Sequence, residues 1–167
     1  MRWPRFAVMV LITALLQSNV VDAIAVTRLH VVPDLMLILM VFFAIRCNIE
    51  EATISSFSIG LAADIIAMGF PLGPRIISFG LLGTALAYLN RVIAIKKISH
   101  QALAIFIIGL TSGVLIRILS ALAGRPAWAG WVGTVVGSSI YSAVIGPFLF
   151  IILDLAMNIK GKRRGRD

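Results

Sequence analysis

Of the 167 residues, 60% are hydrophobic and 13% charged, a balance too apolar for a water-soluble core and one that makes lipid the solvent of this chain. Lipid leaves helices or a closed barrel as the ways to satisfy the backbone, and the apolar blocks run continuously rather than alternating, so the sequence predicts an all-α integral membrane protein. The formal charge of +8 would point to nucleic acid in a soluble protein, but here the basic residues gather at the ends of the apolar blocks, where they orient the chain against a bilayer and leave no nucleic-acid partner expected.

The first apolar block, residues 6–26, follows Met-Arg-Trp-Pro-Arg and has the charged start and greasy middle of a signal peptide, with Ala23-Ile24-Ala25 resembling a cleavage site. It is also long enough to span, and an uncleaved first span with Asp22 near its outer end is the expectation. Pro33-Asp34-Leu35 opens the second span, 33–46, with proline in the first turn and an acid at the positive dipole end. That block is short for a crossing, so either the preceding loop dips into the membrane or Arg46 snorkels at the far side.

Glu50 and Glu51 open the third span, 52–70, which holds Asp64 well inside an apolar helix. A carboxylate there costs on the order of 3 kcal/mol on insertion scales. Ser56, Gly60 and Asp64 recur every four residues on one small, polar stripe, so Asp64 is expected to face protein or a wet cavity rather than lipid. Gly69-Phe70-Pro71-Leu72-Gly73-Pro74 then enforces a tight turn into the fourth span, 75–95, where Gly80, Gly83 and Ala87 permit close helix contact. The fifth span, 101–123, sets Gly109, Gly113 and Arg117 on one stripe, so that close packing leads to a buried cation. A loop with Arg125, Trp128 and Trp131 leads to the sixth, 130–158, in which Gly133 and Gly137 lie four apart and Gly146-Pro147 predicts a bend. Residues 160–167 form a basic tail suited to anionic lipid.

Six spans would put both termini on one side. Eleven of the 15 Lys and Arg residues fall on that side and three, Arg28, Arg75 and Arg125, on the other, which by the positive-inside rule makes the termini cytoplasmic. In this topology Asp64 and Arg117 lie at matching depths in the outer half of the membrane. Two arrangements follow: an ion pair between the third and fifth helices, joined by Asp34 and Asp22, or an Arg117 that snorkels outward while Asp64 is protonated or bonds a serine. Asp154, near the cytoplasmic end, is expected to reach interfacial water or the basic tail. His30 and His100 fall near opposite faces and cannot share a metal, and the lone Cys47 excludes a disulfide framework or cysteine-based cluster. With no P-loop, zinc signature or nucleophile elbow, neither a cofactor nor a catalytic centre is predicted.

The sequence resembles the bacterial rod shape-determining protein MreD family in size and layout, and most specifically between Pro33 and Gly73: Pro33-Asp34-Leu35 at the start of the second span, Gly60-Leu-Ala-Ala-Asp64, and the turn Gly69-Phe-Pro71-Leu-Gly73. The pattern maps onto Pro33, Asp34, Gly60, Asp64, Pro71 and Gly73; the Arg117 stripe and the glycines of the sixth span lie outside it. The resemblance implies a six-helix transmembrane bundle, similar to the substrate-binding membrane subunits of energy-coupling-factor vitamin transporters. It also implies a non-enzymatic inner-membrane component of the cell elongation machinery, partnered by the bitopic protein MreC and through it by MreB filaments and the glycosyltransferase and transpeptidase of peptidoglycan synthesis.

Two functions of different kinds follow. In the first, a scaffold, small-residue stripes such as those of Gly60 and of Gly109 and Gly113 receive a partner's helix and the intramembrane charges are structural. In the second, a small-molecule-binding subunit of a vitamin-type transporter, Asp22, Asp34, Asp64 and Arg117 line a pocket that opens outward.

Overall fold

The computed structural model describes residues 3–19, 32–67, 73–93, 97–124 and 130–157. They form six α-helices, and the described residues contain no strand: α1 (Trp3–Asn19), α2 (Leu35–Arg46), α3 (Ile49–Ile66), α4 (Pro74–Ile93), α5 (Ile98–Leu122) and α6 (Trp131–Met157). Three of these, α4, α5 and α6, are long and apolar enough to cross a membrane, while α1 and α2 are shorter apolar helices.

The helix ends follow from local chemistry. Asp34 caps α2, its Oδ1 accepting the Leu37 backbone N–H at 3.0 Å. Glu50 and Glu51 sit in the first turn of α3, where carboxylates meet the positive end of the dipole. Pro74 takes the first position of α4, which needs no N–H. Beyond α5, Gly124 adopts φ 81°, a left-handed conformation that suits glycine as a helix stop, and its N–H donates to the Ala121 carbonyl.

The order of packing is set by α2. All ten residues from Met36 to Ile45 are buried, so this helix is apolar all round because it is surrounded all round. It touches each of the other five helices, with α3 against α4 and α5 against α6 as the two closest-packed pairs. Phe42 meets Phe43 and Phe150 edge-on, and Phe43 meets Phe6 of α1, tying three helices into one aromatic cluster. At 12 residues α2 is about 18 Å long, well short of a bilayer's ~30 Å core. The outward faces of α1, α4 and α6 carry exposed Leu, Ile, Val and Phe side chains such as Leu11, Leu81 and Phe148.

Glycines make the two close pairs possible. A Cβ at Gly83 would collide with Ser56 Oγ, and one at Gly80 would overlap the Phe57 ring, so α3 and α4 meet where α4 has no side chain. Between α5 and α6, Gly109 faces Ser139, Gly113 faces Val135 and Gly146 faces Ile105. The stripes expected to accept a partner's helix therefore close the bundle on itself. Gly133, by contrast, has open space around it. α6 continues as helix through Gly146-Pro147, where the sequence predicts a bend.

At the opposite end of α2 from Asp34, the Ile45 carbonyl accepts from Asn90 Nδ2 at 2.7 Å and Arg46 forms an ion pair with Asp154. Asp154, expected to reach interfacial water or the basic tail, thus meets the end of the central helix through Arg46. Residues 20–31, which include Asp22 and His30, residues 68–72 with Pro71, residues 125–129 and the tail lie outside the described residues.

Candidate functional site

Asp64 is only 5% exposed, and its carboxylate is held by the backbone that follows it. Oδ2 accepts N–H groups from Gly73 at 2.9 Å and Ile76 at 3.1 Å, and Oδ1 accepts the Arg75 N–H at 3.2 Å. These are the amides that the first turn of α4 leaves without intrahelical partners, so the last turn of α3 supplies the cap for the next helix. Negative charge lies at the positive end of the α4 dipole. Gly73, at φ 138°, turns its amide into this arrangement from a conformation that side chains disfavour. One turn back, a Cβ on Gly60 would sit 2.8 Å from both the Arg75 carbonyl oxygen and Ile76 Cα. The Gly60–Asp64 repeat is thus a seat for the start of α4. Among the described residues, the hydrogen bonds to this carboxylate come from these three backbone amides.

Asp34 does the same for α2 from within its own turn, following the buried Pro33. Its N–H donates to Ser142 Oγ of α6 at 2.9 Å, and the neighbouring Leu35 N–H donates to Gln17 Oε1 of α1 at 2.8 Å. Two helix starts, both capped by aspartate, are thereby brought to one end of the molecule.

Between them lies a cavity of about 350 Å³. Asp34 and Leu37 of α2, Asp64 of α3, Arg75 of α4, Arg117 of α5 and a row of hydroxyls on α5 and α6 line it, with Gly109 and Gly113 at its α5 wall. Asp34, Asp64 and Arg117 share this lining, as the pocket reading expected; Asp22 falls outside the described residues. Among the described residues no group of three His, Cys, Asp or Glu side chains is placed to hold a metal ion.

No family model, curated protein or solved structure matches the chain. The site is therefore read from its own groups. Three kinds of lining residue were not singled out by the sequence: Arg75, which was counted only as an outer-loop cation, the α6 serines Ser138, Ser139 and Ser142, and Ser112 and Ser120 of α5. The spacing of Ser138 and Ser142, four apart on α6, is the pattern that places two hydroxyls on one helix face.

Proposed function

We propose that the protein is a non-enzymatic, MreD-like scaffold of the bacterial cell elongation machinery, a six-span protein of the inner membrane with both termini cytoplasmic. In this reading it partners an MreC-like bitopic protein, and through it supports peptidoglycan synthase activity and contact with MreB filaments. One observation carries the reading: the two stretches on which the family resemblance rests, 30 residues apart in sequence, meet at a single end of the molecule as supports for helix starts. Asp34 caps α2, Asp64 caps α4, Gly60 admits the α4 backbone and Gly73 shapes the turn. Each of these polar and small groups is occupied in holding backbone, which suits a rigid body that other subunits build on.

With Gly60, Gly109 and Gly113 already packed inside the chain, a partner's helix is received on the lipid-facing sides instead, where association relies on side-chain packing. Affinity purification of the full chain from its native membranes tests this: a single-span, MreC-like protein is expected among the captured proteins, and its absence overturns the reading.

The cavity supports a second reading, a small-molecule-binding membrane subunit whose fold is similar to the vitamin-binding subunits of energy-coupling-factor transporters. Its volume of about 350 Å³ falls in the lower part of the range of small-molecule sites, and its mixture of apolar wall and converging polar groups fits one. Saturable binding of any small molecule, lost when cavity residues are replaced, would favour it over the scaffold.

A further inference from the structure

We infer that the ligand of the cavity is a small zwitterion, an ammonium and a carboxylate carried on one short carbon chain; this rests on the second reading above, that the cavity takes a ligand, and leaves the scaffold reading untouched. The lining carries no excess of either charge. Arg75 and Arg117 offset Asp34 and Asp64, and the starts of α2 and α4, with Asp34 and Pro74 in the wall, are matched by the ends of α3 and α5, with Ala67 and Ser120. Each helix end contributes roughly half a charge, positive at a start and negative at a finish, so these four contributions cancel as well.

Neutral in sum, the cavity is not neutral in detail. One charge of each sign is already engaged: three backbone N–H groups hold both oxygens of Asp64, and Arg117 has an interaction partner. One of each sign remains. Among the described residues the Arg75 guanidinium makes no hydrogen bond or ion pair, and the Asp34 carboxylate is held through Oδ1 alone, by Leu37, which leaves Oδ2 to accept. These two groups belong to the two helix starts between which the cavity lies, Asp34 to α2 and Arg75 to α4. A lone anion against Arg75 would desolvate the Asp34 carboxylate without pairing it, and a lone cation at Asp34 would do the same to Arg75, whereas one molecule with both charges pairs both. The hydroxyls serve either end. Ser112 and Ser139 donate to carbonyls of their own helices and so offer oxygens to an ammonium, while Ser120 and Ser138, without a hydrogen bond among the described residues, have protons to give a carboxylate. Leu37, Ile116 and Val135 supply apolar wall for the carbon chain between the charges.

The test uses the full chain, stripped of lipid in a neutral detergent. Isothermal titration and thermal unfolding are followed as β-alanine, γ-aminobutyric acid or ε-aminocaproic acid is added, with propionate, ethylammonium and erythritol compared at matched ionic strength. The amino acids hold their two charges at increasing separations. At least one of them is expected to bind saturably and raise the unfolding temperature at concentrations where the single ions and the polyol do neither. Arg75→Gln and Asp34→Asn should each weaken its binding about tenfold or more. They should also shift preference in opposite senses, the first toward ethylammonium over propionate and the second the reverse, which a merely structural role would not produce. Asparagine caps helices too, so Asp34→Asn keeps the start of α2, and Arg91→Gln, exposed at the other end of α4, should bind as the unmodified protein does. The ranking of amino acids over single ions in the unmodified protein needs no variant to fold. Binding of propionate, ethylammonium or erythritol as tightly as the best amino acid overturns the proposal but leaves the second reading standing, amino-acid binding indifferent to both variants overturns the proposal, and no saturable binding of any of these molecules overturns proposal and second reading together.

Discussion

The carboxylate of Asp64 is sheltered by peptide amides, and that distinguishes it from a member of an ion pair. Charge-assisted hydrogen bonds contribute about 1.5–3 kcal/mol each, and leaving three buried amides without an acceptor is the main loss when the carboxylate goes. Asp64→Ala should therefore destabilise the protein by about 3 kcal/mol or more, read as a lowered unfolding temperature of the detergent-solubilised chain, with Asp64→Asn milder because one acceptor oxygen survives. Exchanging the charges, Asp64→Arg with Arg117→Asp, should rescue nothing; recovery of folded protein in the double variant would show that the two side chains act as a pair. That Asp64 needs shelter was legible in the sequence, because a carboxylate at that depth is intolerable alone. What shelters it was not legible, since backbone amides carry no residue code and reach Asp64 only through the turn ending at Gly73. Cys47, beyond the end of α2, provides a separate test: burial, helped by the negative charge of Glu51, pushes its thiol up to about 11. Its thiolate fraction near neutral pH is then about a hundredfold below that of an unperturbed thiol, and maleimide should label it in the folded protein that much more slowly than in denaturant.

At the scale of helices, the small-residue stripes were legible as contact surfaces but not as contacts within one chain. A glycine repeat states that something approaches closely and is silent on whose backbone it is. Gly60 and Gly133 separate the two cases. At Gly60 an added methyl group meets main chain, which cannot rotate away, so Gly60→Ala should lower stability by about 2 kcal/mol despite alanine's better helix propensity. At Gly133 it meets nothing, so Gly133→Ala should be neutral or stabilising by up to about 1 kcal/mol. Equal losses at both positions would mean that a covered surface lies over Gly133 as well. The shortness of the second apolar block was also visible in the sequence, together with Pro33 and Asp34 that begin it. Its central place was not, because uniform apolarity marks a helix hidden among others and a helix bathed in lipid alike. At Pro147 the missing amide leaves α6 helical on both sides, with Gly146 and Pro147 both buried.

For the molecule as a whole, the distribution of basic residues leads to the expectation that alkaline phosphatase fused after the tail is inactive and a fluorescent protein at the same point is bright; the reverse pattern would invert the topology and with it the outward placement of the cavity. Helix number and apolar character were legible because lipid imposes them on composition. The cavity was only half legible, since Asp34, Asp64 and Arg117 stand out by charge, whereas serines and the cation of Arg75 are ordinary until the helices are assembled. The fastening of α2 has a mechanical consequence. One end is tied to α1 through Gln17 and to α6 through Ser142, and the other to α4 through Asn90 and to α6 through Asp154. Such a rod cannot slide like a piston without undoing anchors at both ends simultaneously.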